Sequence, residues 1–107
     1  MSTFDDREQS FENKFKHDEE LQFRVSARRN KLLGLWAAQL LGIHGSEAEA
    51  YAKTVVAADL EKPGDDDVVQ KVLADFKARS IDMSEHRLRK HMIELFQTAH
   101  QQIMTEA

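Results

Sequence analysis

Apolar residues recur at helical spacing along nearly the whole chain, and no stretch alternates with the period of two that a strand requires. Three interruptions divide the pattern. The first strong helix is expected over residues 17–41, where Leu21, Val25, Leu32, Trp36 and Leu40 repeat at steps of four and seven. Ala27, Ala37 and Ala38 add helix propensity, and Gly42 suits the left-handed residue that ends a helix. A second helix is expected over 47–61. Ser46 with Glu49 three residues later forms a capping-box pattern at its start, and Pro63 and Gly64 stop it. Its buried face reads as Ala48, Tyr51, Ala52, Val55, Val56 and Leu60.

A third helix follows over 66–79. Asp65, Asp66 and Asp67 are placed to cap its first amides and complement the helix dipole, and Lys77 and Arg79 match the opposite end. Val68, Val69, Val72, Leu73 and Phe76 face inward. The fourth helix, 85–104, begins after Ser84, with Met83 and Leu88 at the positions of a hydrophobic staple. Its stripe is Leu88, Met92, Leu95, Phe96, Ala99 and Ile103. Short links favour antiparallel neighbours, so the fold class is all-α, a small four-helix bundle.

Residues 1–16 stand apart from this pattern. Phe4, Phe11 and Phe15 fall within roughly 40° of one another on a helical wheel, and the residues between them are mostly charged or polar. Their stripe is rotated about 70° from that of the first bundle helix, so even an unbroken helix aims the rings partly away from the bundle. The pattern allows a mobile head or a helical extension. A segment this short is marginally helical in water, which favours mobility when free. A narrow aromatic stripe on a polar segment suits a peptide that enters a partner's groove as a helix. The other reading is that the rings fold back onto the bundle.

With 107 residues the chain forms one domain with a modest core, and 41% hydrophobic with 32% charged residues fits a water-facing helical protein. No apolar run approaches the ~20 residues of a membrane span, so no direct membrane insertion is expected. No secretory signal is visible and cysteine is absent, which makes a cytoplasmic location the default. The first twenty residues hold seven acids and three bases and so carry the whole net charge of −4. A basic block of Arg24, Arg28, Arg29 and Lys31 follows, with no acid among residues 21–31. An acidic head on a neutral body argues against nucleic-acid binding. The basic block offers a phosphate contact through Arg28, Arg29 and Lys31, or pairs with nearby acids on a solvated face. Trp36 could stack a base beside it, but a core tryptophan is expected.

Catalytic motifs are missing. There is no P-loop or dinucleotide fingerprint, and His17, His44, His86, His91 and His100 include no pair at metal-binding helical spacing. The three consecutive aspartates lack the further oxygen ligands of a calcium loop. No metal site, no cofactor and no enzyme activity are expected.

Three stretches resemble the zeta subunits of alphaproteobacterial F-type ATP synthases, a family also described as a domain of unknown function. They are FDDREQSFENKF at residues 4–15, HDEELQFRVSARRNKLLGLWAAQLLG at 17–42 and EAEAYAKTVVAADLEKPGDDDVVQKVLADF at 47–76. The run ARRNKLLGLWAA at 27–38 is the most specific, and the last helix fits more loosely. The resemblance implies a four-helix bundle over 17–107 and a mobile inhibitory segment over 1–16. That segment is implied to become helical and enter a catalytic alpha–beta interface near the gamma shaft, blocking ATP hydrolysis. The positions carried over are Phe4, Asp5, Arg7, Glu8, Phe11, Glu12, Lys14 and Phe15. The implied partners are the alpha, beta and gamma subunits, at the cytoplasmic side of the inner membrane. Weak ATP or ADP binding is compatible with membership. The rival readings are a helical nucleotide-binding regulatory module and a general helical adaptor.

Overall fold

Among the described residues four helices form, α1 Thr3–Leu41, α2 Ser46–Glu61, α3 Asp66–Ala78 and α4 Glu85–Glu106, the last three close to where the periodicity places them. The computed structural model describes the backbone of residues 3–61 and 64–106, and the side chains of residues 17–60 and 64–106. α1 is the central element and packs against each of the other three. It starts at Thr3 and passes through the expected boundary near residue 17 without a break in the helix.

The turns follow local chemistry closely. Gly42 lies at φ 77°, and the amides of Gly42 and Ile43 return to the carbonyls of Gln39 and Ala38 at 3.2 and 2.8 Å. This is the paired closure of a Schellman motif, with Ile43 packed on the core beyond it. α3 ends the same way at Ser80, φ 58°, where Ile81 reaches back to Phe76 at 2.8 Å. The Ser84 hydroxyl accepts the Arg87 amide at 3.1 Å, and Met83 packs on the cluster containing Leu88, as the staple requires.

Two caps differ from expectation. The amides of Ala48 and Glu49 go to the carbonyl of Gly45, at 3.1 and 3.4 Å, rather than to the Ser46 hydroxyl. α2 therefore begins one residue early, at Ser46. Asp65 makes no side-chain cap bond, because its carboxylate is drawn away by Arg29.

The main core gathers Leu33, Ala37, Leu41, Val55, Val68, Val69, Val72, Phe76, Leu88 and Met92. A smaller cluster of Val25, Ala99 and Ile103 joins the middle of α1 to the end of α4. The buried face of α1 thus differs from the expected stripe. Leu33 and Leu41 are buried, whereas Leu40 is 46% exposed and Leu32 and Trp36 are only partly covered. Adjacent leucines at 32–33 and 40–41 give the pattern two nearly equal registers. Gly34 helps decide between them: a Cβ built there would lie 2.5 Å from the Ala52 Cα, so α2 meets α1 at a face only glycine allows. Trp36 sits at the edge of the core rather than inside it, edge-on to Phe76 with ring centroids 6.0 Å apart and 4.1 Å from the His91 ring. Leu60 and Phe96 are also corrections, at 62% and 36% exposed.

Candidate partner-binding site

The backbone of residues 3–16 is the first part of α1. The side chains of Phe4, Asp5, Arg7, Glu8, Phe11, Glu12, Lys14 and Phe15 lie outside the described residues. What is described is the collar that joins them to the bundle. His17, Asp18, Glu19, Glu20, Gln22, Phe23 and Arg24 are all exposed, Leu21 is half-buried, and burial begins at Val25. α1 therefore leaves the packed body near residue 24 with its collar in water.

Just inside that exit, two arginines fix the helix. Arg28 donates to both carboxylate oxygens of Glu106, at 2.7 and 2.9 Å, and to Gln102 at 2.9 Å. The paired guanidinium holds the Glu106 carboxyl below the usual carboxylate range, and the carboxylate raises Arg28 in return. Arg29, 5% exposed, forks onto Asp65 at 2.7 and 3.3 Å and donates its Nε to the Asn30 Oδ1 at 2.9 Å. The Nδ2 of Asn30 is buried without a protein partner. One arginine thus ties α1 to the end of α4, and the other ties it to the start of α3. Further tethers hold the body together. Arg79 donates to the Leu41 carbonyl at 2.7 Å, capping the far end of α1. Tyr51 donates to Asp75 at 2.7 Å, with its phenol pushed up by burial and by that bond.

The basic block does not act as one patch. Arg28 and Arg29 are engaged by carboxylates, while Arg24 and Lys31 are exposed on a groove of about 570 Å³ between α1, α2 and α4. Two of the block's members do pair with acids, but not as nearby pairs on a solvated face, since Arg29 is 5% exposed. The acids are remote in sequence, at Asp65 and Glu106, and no local spacing announces them. Of the three consecutive aspartates, Asp65 and Asp66 face Arg29 and Arg89. Among the described residues, no helix is long and apolar enough to cross a membrane.

Residues 1–102 match the family described as ATPase inhibitor subunit zeta. The chain belongs to that family. A structure solved by solution NMR is 45% identical and aligns over 81% of this chain and 99% of the other, with a TM-score of 0.71. A search of curated proteins finds no match. The family description is that of a regulator of an ATPase, and the match includes the head as well as the bundle.

Proposed function

We propose that this zeta-family chain is a non-catalytic inhibitor that stops ATP hydrolysis by the F-type ATP synthase when its head enters a catalytic alpha–beta interface beside gamma. The observation that carries the proposal is the construction of α1. One helix spans Thr3–Leu41, is locked into the body from Val25 onward and stands exposed through the collar before it. Such a helix passes a load on its head directly to the body. In the sequence the head bears Phe4, Phe11 and Phe15 on one side. Each ring fully desolvated by a groove contributes about 1.5–3 kcal/mol, less the entropy of fixing the head. The charges at Asp5, Arg7, Glu8, Glu12 and Lys14 set register more than affinity. A wedge between subunits that must change shape in turn halts turnover without touching the nucleotide. On this reading the protein works in the cytoplasm, at the membrane only through the synthase.

The test is the ATPase activity of the cognate enzyme. A peptide of residues 1–19 is expected to inhibit weakly. Phe11→Ala and Phe15→Ala in the full chain are expected to weaken inhibition at least several-fold while leaving thermal melting nearly unchanged. Unchanged inhibition by both variants would remove the phenylalanine stripe from the mechanism. A second reading, weak ATP or ADP binding to the body, is favoured by Arg24 and Lys31 standing exposed beside Phe23 on one groove. Amide shifts followed through a nucleotide titration test it, and flat spectra at millimolar ligand reject it.

A further inference from the structure

The groove between α1, α2 and α4 has a charge pattern that insertion of the head does not use. Its walls carry Arg24, Arg28, Lys31 and Lys53 against a single acid, Glu49. Arg24, Lys31 and Lys53 are exposed, and among the described residues none of the three forms an ion pair. The floor is apolar, from Ala27, Ala52, Val56 and Ile103, and Phe23 stands at the collar end with 61% exposure. The bases already attract one carboxylate of the chain itself. Glu106 is held down first by its hydrogen bonds to Arg28 and further by the charges of Arg24 and Lys31. Three bases thus converge on one acid, and Lys53 adds a fourth from α2, so positive charge is left unanswered.

We infer that this groove docks an acidic amphipathic helix on the surface of the ATPase, apart from the cleft that takes the head. Charge selects the partner's acids, and spacing selects its backbone. Arg24, Arg28 and Lys31 are separated by four and then three residues and share one side of α1. They recur at about 6 and 4.5 Å along the helix axis, the repeat of acids four and three apart on a second helix lying alongside. A strand, whose same-side residues recur at about 7 Å, falls out of step. The α1 wall from Phe23 to Lys31 is about 12 Å long, which accommodates about two turns of such a helix. Apolar side chains between the partner's acids then lie on Ala27, Val56 and Ile103. A body held in this way keeps its head close to the cleft, and two linked contacts bind more tightly than either alone. The docking takes its partner, the ATPase, from the inhibitory reading, but it does not depend on where the head enters.

The experiment titrates the soluble head of the cognate ATPase with the full chain, reading the Kd and the activity left at saturation, with melting checked for each variant. Arg24→Glu with Lys31→Glu is expected to weaken binding about tenfold or more, and Lys53→Glu alone about threefold, with full inhibition still reached at saturation. Wild-type affinity is expected to fall about tenfold at ~0.5 M salt, and the charge-reversed chains to lose most of that dependence. The chain has no cysteine, so a photo-crosslinker on Lys53→Cys has one site, and it is expected to capture a helix with acids three and four apart. Charge-reversed chains that melt like the wild type and bind within about twofold of it overturn the docking, as a groove serving only small anions predicts. Capture of a basic or uncharged segment also overturns it. The inhibitory reading fails separately, through a wild type that binds by the groove and leaves hydrolysis unchanged. A wild type that does not bind the enzyme removes both.

Discussion

The two halves of α1 share one backbone and behave as different elements. From Val25 to Leu41 the helix buries residues against α2, α3 and α4, including an arginine and an asparagine. From His17 to Arg24 it covers only part of Leu21. The difference lies less in propensity than in partners. The C-terminal half carries small residues, Gly34, Ala37 and Ala38, that let neighbouring helices approach, and the collar carries charge and a solvent-facing Phe23. A helix can thus be a core element at one end and a presented arm at the other, with Arg28 and Arg29 fixing the boundary.

Substitutions in the packed half sharpen this contrast most. Leu33→Ala removes a side chain with no exposure and is expected to cost about 2–5 kcal/mol in denaturant unfolding. Gly34→Ala tests the close crossing. Alanine gains roughly 1 kcal/mol of helix propensity. Its Cβ would meet the Ala52 backbone at 2.5 Å, and overpacking of that kind costs about 1–3 kcal/mol, so the net change is expected to be destabilising. A stabilised Gly34→Ala would show that α1 and α2 have room to part.

The boundary itself has a smaller and pH-dependent effect. Arg28 lowers the Glu106 carboxyl in the folded protein, so the pair's contribution is present above the unfolded carboxylate range and is lost as pH falls through the lowered folded value. Glu106→Gln is expected to lower the melting temperature slightly at neutral pH and to converge with the wild type in acid. A gap that persists in acid would mean that Glu106 acts through packing rather than charge.

Much of this design was legible in the sequence, but not its decisive register. α2, α3 and α4 each carry one dominant stripe between clear stop signals, and their bounds fall within two residues of expectation. α1 was harder for a physical reason. A helix with three neighbours buries a wide arc, so no narrow stripe marks its inner face, and the leucine doublets at 32–33 and 40–41 fit two registers. Arg29 and Asn30 hid the buried face further, since polar residues are expected outside unless paired. Their partners come from tertiary approach: Asp65 looked like a helix cap until Arg29 was placed beside it. For the head, the sequence supplied the phenylalanine stripe and the family resemblance, the structure supplied the collar, and the side chains between them lie outside the described residues.

The most direct measurement compares the full chain with one lacking residues 1–15, following melting and inhibition of the cognate ATPase side by side. The account predicts a truncated chain that melts within a few degrees of the full one and has lost nearly all inhibition. A truncated chain that inhibits at full potency would contradict it.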